Sequence, residues 1–304
     1  MNGTTLDAYR QLQKQIQSDI DACKSEHKRQ MQSARNNVAK ASIQALNLLA
    51  DGDSWFDYPL PSQGHLPTDV IVSLTDLLHL DPKPLKLAHY GDATTALLGT
   101  SKRERLIATL KDPAHAPFDA ILFSGGGNDL VGDAFRFWLH DAASVNKDFK
   151  LATNDAALQD IIDIVRRAYR DLIAVRDEYA DGAYLFFHQY DYATPTNASI
   201  CDGLIGPWLQ PSFIDRGWAP PVDAQFLVNG RGVVSEILIE FANMLNELST
   251  PTNKIVVVKT QGILNPDTDW ANELHPTHDG FGKIAAAFQQ ALQAVFGERA
   301  AVHR

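Results

Sequence analysis

Cysteine is nearly absent from this chain. Cys23 and Cys201 are the two that its 304 residues contain, and neither has the neighbours of a zinc knuckle or a redox pair. Both read as ordinary thiols of a reducing compartment. No stretch stays apolar for the roughly 20 residues a membrane span needs. The N-terminus, MNGTTLDAYRQLQKQIQSDID, lacks the basic start and apolar run of a secretory leader. These absences predict a cytoplasmic protein with no integral membrane segment. Basic charge is also short: 27 Lys and Arg against 37 Asp and Glu leave a net charge of −10. Nucleic acid and anionic membrane surfaces are repelled on average, so a small-molecule partner fits better. There is no internal repeat and no low-complexity tract.

What is present is an ordinary folded composition, 45% apolar and 21% charged, in a chain long enough for one large α/β domain. From residue 5 to about 40, apolar or semi-apolar side chains recur every three or four residues, at Leu6, Tyr9, Leu12, Ile16, Ile20, Cys23, His27, Met31, Ala34 and Val38. That spacing predicts a long amphipathic helix. It either lies on its own domain or is an arm pairing with a second copy in a homo-oligomer. Residues 1–40 are therefore read as a helical extension and 41–304 as the main domain.

In that domain short apolar runs alternate with helical segments, the pattern of a buried parallel sheet. Strands are predicted at Ala45–Ala50, Leu85–His89, Ala120–Ser124, Ala183–His188 and Ile255–Lys259. Helices are predicted at Thr68–Leu80, Thr94–Lys111, Asp155–Ala180, Val233–Leu248 and Asp279–Phe296. The expected fold is a three-layer α/β/α sandwich around a mainly parallel five-stranded sheet, with ligands gathering at the carboxyl ends of the strands. Two aromatic-rich insertions, at 133–154 and 193–221, break the rhythm and are read either as pocket walls or as aromatics packed on the scaffold.

Three short blocks carry chemistry. Asp51-Gly52-Asp53-Ser54-Trp55 follows the first strand and puts a serine past a glycine that permits a tight turn, where a nucleophile would stand. It is not the G-x-S-x-G elbow, because no glycine follows two places after Ser54. Ser124-Gly125-Gly126-Gly127-Asn128-Asp129 follows the third strand, where the Asn128 amide could donate to a developing oxyanion. No Lys-Ser or Lys-Thr follows, which argues against a phosphate loop. Asn272-Glu273-Leu274-His275-Pro276-Thr277 precedes the last helix and offers His275 as a general base. His275 and His278 as metal ligands are the weaker alternative, since no third soft ligand is near. No metal or organic cofactor is expected.

The order G-D-S, G-x-N-D and H-P, each after a predicted strand, resembles the SGNH (GDSL-like) hydrolases over about Leu46 to Phe296. The resemblance implies a serine ester hydrolase, esterase- or lipase-like, that works through an acyl-enzyme. Ser54 would be its nucleophile, His275 its base, and Gly126 with Asn128 its G-x-N-D block. It implies an oxyanion hole of the Ser54 N–H, the Asn128 amide and the N–H of Gly91, the glycine after the second strand. The family has Asp three residues before the histidine, whereas this chain has Asn272. An Asn carbonyl can accept the imidazole N–H without bringing a charge. Asp269, Asp267, a backbone carbonyl, or a bare Ser–His dyad remain alternatives. The same site would also serve a thioesterase, a carbohydrate O-acetylesterase or a phospholipase, and a scaffold with a decayed site is the reading from another class.

Overall fold

The computed structural model describes residues 3–37, 45–62, 64–90, 94, 99–132, 134–200, 206–218 and 224–301, without the side chains of 3–10, 12, 13 and 37. Among them one sheet has five strands: β1 (Leu48–Gly52), β2 (Leu85–Lys86), β3 (Ala120–Ser124), β4 (Tyr184–His188) and β5 (Ile255–Val258). Their order is β2-β1-β3-β4-β5, and every pairing is parallel. The sheet is thus wholly rather than mainly parallel. β1 and β3 are buried at every position, which is why they read as continuous apolar runs instead of alternating ones.

Eight α-helices are described: α1 (Gly3–Asn37), α2 (Val70–Leu78), α3 (Thr100–Lys111), α4 (Gly127–Leu130), α5 (Asp155–Tyr179), α6 (Gln210–Asp215), α7 (Ala224–Leu248) and α8 (His278–Phe296). α2 packs on α8, and α5 packs on α3 and α7. With right-handed crossovers these groups cover opposite faces of the sheet, giving the three layers expected. The strand order reverses at β1, so the crevice for a ligand opens beyond the carboxyl ends of β1 and β3.

Some boundaries differ from the sequence reading. β1 starts at Leu48 and runs on to Gly52, where φ is +149° and an added Cβ would lie 2.3 Å from the Ser124 oxygen. Only glycine lets β1 and β3 stay together there. β2 is two residues long, yet Leu87 and His89 still donate main-chain bonds to Ala50 and Gly52. α3 is described from Thr100, with Gly99 in extended backbone as its N-cap; Thr94, where the sequence reading starts the helix, is helical too, and 95–98 lie outside the described residues. α7 begins nine residues before Val233, passing through Gly230 and Gly232. Packing overrides glycine's poor helix propensity there: Phe226 is buried against Phe213, ring centroids 5.6 Å apart, and an added Cβ on Gly230 would come within 2.6 Å of Pro195.

The second half of α1 lies on the domain itself. Ile20, His27 and Met31 are buried, His27 meets Asn47 and His115 at 3.0 Å each, and Arg35 donates to the carbonyls of Pro113 and Ala116. Among the described residues no helix is long and apolar enough to cross a membrane.

Candidate active site

Ser54 stands in the turn that leaves β1, and buried contacts define that turn. The Asp53 N–H donates to the Ser124 carbonyl at 3.0 Å, while the Asp53 carboxylate accepts the Trp55 N–H at 3.0 Å, the Ser124 hydroxyl at 2.6 Å and the Tyr190 hydroxyl at 2.5 Å. His188 Nδ1 accepts the Tyr190 N–H at 3.3 Å, which leaves its Nε2–H to donate to Ser124 Oγ at 2.8 Å. Burial pushes the Asp53 carboxyl up against these donors, and burial holds His188 down to about 3.

The second block is set by conformation. Gly126 has φ +102°, and an added Cβ would lie 2.7 Å from the Phe241 ring, so the chain turns directly into α4 with Asn128 at its second position. Asp129 accepts the Thr94 N–H at 2.7 Å and thereby ties the connection after β2 to this block. Gly91 lies outside the described residues, as does Cys201.

His275 meets Ser54: its Nε2 is 2.7 Å from Ser54 Oγ. On the ring's other side Nδ1 is 3.0 Å from Asn272 Oδ1. That oxygen also accepts the N–H of Leu274 and of His275, both at 3.0 Å, and the Asn272 amide nitrogen donates to the Tyr58 hydroxyl at 3.2 Å. Two main-chain donors therefore fix the amide with its oxygen toward the ring. His275 must carry its proton on Nδ1 and present a lone pair at Nε2 to Ser54. Asn272 thus supplies the orientation an aspartate would, without its charge. Ser54 is 6% exposed and His275 7%, and burial pushes the imidazole down to about 3.

The other orienting candidates are elsewhere. Asp269 receives Lys283 at 2.6 Å and the Asn265 N–H at 2.7 Å; burial opposes its charge, but these donors outweigh it and hold the carboxyl below its usual range. Asp267 is exposed, and its N–H bonds Asn265. His278 stacks on His65, with centroids 4.2 Å apart. Among the described residues no group of three or more His, Cys, Asp or Glu is placed to hold a metal.

A cavity of about 20 Å³ opens beside the dyad, bounded by Ser54, Asn128 and His275 with Val131, Leu238 and Trp270. The aromatic residues of the first insertion do not line it. Phe135 and Phe149 pack instead on Phe213, and Phe149 also on Trp218. The second insertion does contribute, through Ala193 at the cavity and Trp208, whose ring is edge-on to His275. Two residues at the site were missed by the sequence reading. Tyr58 stacks on His275 with centroids 4.6 Å apart. Glu273 is buried and accepts four main-chain N–H groups. An acidic residue beside the histidine block was the available signal for the latter.

No family model matches the chain, and no curated protein matches it. Solved structures do. The lipase Lip_vut3 from goat rumen metagenome superposes with a TM-score of 0.52 at 14% identity, over 84% of this chain and 100% of that one. A Clostridium thermocellum family 3 carbohydrate esterase gives 0.43 at 16% identity over 84% and 100%, and an extracellular lipase from Streptomyces rimosus 0.41 at 14% over 81% and 100%. At these identities the likeness is one of fold, and the goat rumen lipase carries it.

Proposed function

We propose that this chain, which has the fold of a solved lipase, is an SGNH-type serine ester hydrolase acting on esters of small acyl groups. The observation that carries the proposal is the Ser54–His275–Asn272 relay, with contacts of 2.7 and 3.0 Å and its proton positions fixed by main-chain donors. In this reading Ser54 Oγ attacks the ester carbonyl as its proton passes to His275 Nε2. The C–O bond to the alcohol breaks, the alcohol leaves with that proton, and the acyl group stays on Ser54. Water, deprotonated by the same nitrogen, then releases the acid. The oxyanion is met by the Ser54 N–H and the Asn128 amide, with the Gly91 N–H as the third donor that the resemblance implies.

The size of the cavity supports a small acyl group. About 20 Å³ beside Ser54 is room for little more than one water-sized group, which suits an acetyl methyl. This favours an acetylesterase over a phospholipase or long-chain lipase. Hydrolysis of p-nitrophenyl esters from acetate to palmitate, beside an acetylated sugar and an acyl-CoA, tests it. Acetate should be preferred over octanoate by at least about tenfold, the equivalent of roughly 1.4 kcal/mol. Silence toward all of them, together with no fluorophosphonate labelling of Ser54, would leave a scaffold with a decayed site.

A further inference from the structure

We propose that Glu273 is a positioning residue of this site: its carboxylate holds the main chain that carries Trp208, and through Trp208 it keeps water from the His275 ring. The inference rests on His275 being the general base, and it concerns a residue outside the three blocks' matched positions.

Glu273 is 1% exposed. Its Oε2 accepts the N–H of Trp208 at 2.6 Å and of Leu209 at 2.7 Å, and its Oε1 those of Asn197 at 3.0 Å and Gln210 at 3.1 Å. Four donors on one buried carboxylate form a charge-assisted set that an amide cannot reproduce, because one of the amide's terminal atoms is itself a donor. The donors come from Asn197 and from Trp208 to Gln210. The carboxylate therefore anchors these two segments to the same turn, Asn272 to His275, that presents the base.

Trp208 sits on the anchored main chain, and its indole stands at 70° to the His275 ring with centroids 5.8 Å apart. Tyr58 covers a face of the imidazole at 25°. The ring's hydrogen-bond partners, Ser54 and Asn272, are uncharged. The carboxylates that line the same cavity are Asp53 and Asp191, and Glu273 is two residues from His275 in sequence. Dryness, rather than a neighbouring cation, is what keeps the base neutral, and burial is the cause of its low pKa.

The test is an NMR titration of the His275 ring in ¹⁵N-labelled protein, run beside the pH profile of kcat/KM on p-nitrophenyl acetate. In the wild type the ring should stay neutral through pH 5. In Glu273→Gln, and in Trp208→Ala, the midpoint should rise by at least about one pH unit toward its ordinary value near 6.5, with the acid limb of the profile following it. Leu106→Ala, a core truncation on α3 away from the cavity lining, should lower the Tm and leave the midpoint alone. A Glu273→Gln protein that melts lower but titrates as the wild type would overturn the proposal, since Glu273 would then be structural only. Should that variant not fold, an unchanged midpoint in Trp208→Ala overturns it equally. The titration needs no turnover, so a chain that hydrolyses no ester would count against the proposed function without silencing this experiment.

Discussion

The two halves of the dyad are held in different ways. Ser54 follows a strand that is buried at every position, in a turn tied to β3 and β4 through Asp53, Ser124, Tyr190 and His188. His275 lies in irregular chain between β5 and α8, where Asn272, Glu273 and Asp269 gather main-chain N–H groups onto their side-chain oxygens. Polar side chains thus tie the Ser54 turn to strands of the sheet, whereas around His275 they gather the main chain of irregular segments. Changes around Ser54 should therefore act on chemistry through the group removed, and changes around His275 through geometry and pKa.

The largest effect should come from Ser54→Ala. In the proposed mechanism it removes the attacking oxygen and should lower kcat by about 10⁴-fold or more, as loss of a nucleophile does elsewhere. Fluorophosphonate labelling should vanish while the Tm hardly moves; near wild-type turnover would remove Ser54 from the mechanism. Asn128→Ala should cost about 10² to 10³ in kcat with less change in KM, because its amide matters most once the oxyanion forms. A variant that loses only KM would place Asn128 in binding instead.

On the other half the effects should be smaller and pH-dependent. Asn272→Ala frees the ring and should lower kcat at least about tenfold. Asn272→Asp can accept the same three N–H groups, with Tyr58 turning to donate, so activity should hold or rise. The added carboxylate favours the imidazolium, raises the His275 pKa, and should move the acid limb to higher pH. A limb that stays in place would mean that Oδ1 of residue 272 does not face the ring in solution.

The last effect is on stability, not on rate, and concerns the network beneath Ser54. His188 has a folded pKa of about 3 against about 6.5 unfolded. Between those values the unfolded chain binds the extra proton, so this residue's contribution to stability is lost as pH falls below about 6.5. Whatever His188→Gln costs at pH 8, the gap to the wild type should narrow on acidification by up to about 1.4 kcal/mol per pH unit. Urea melts from pH 8 to 4.5 would measure this, and a constant gap would show that His188 stays hydrated in solution.

How much of this was legible in the sequence follows the same division. The runs at 120–124 and 183–188 read as strands because buried parallel strands are short and continuously apolar, and the blocks bearing Ser54 and Asn128 stood out because each follows one. Asn272 was recognised as a departure, but one sequence offers no way to see two main-chain N–H groups locking its amide. Glu273 was passed over for a related reason: its four partners lie 63 to 76 residues away in an insertion without periodicity. Phe149 and Trp218 left two readings open, because an aromatic cluster that packs on itself has the same composition as a pocket wall.

The Trp55 indole N–H donates to the Leu274 carbonyl at 3.0 Å, a bridge across 219 residues. It closes the nucleophile's turn onto the histidine's loop, and its biosynthetic consequence is one of timing. While the chain is being made at about 5 to 20 residues per second, Ser54 waits for a partner that emerges more than two hundred residues later. Until then Ser54 lacks the imidazole contact on which the proposed mechanism depends.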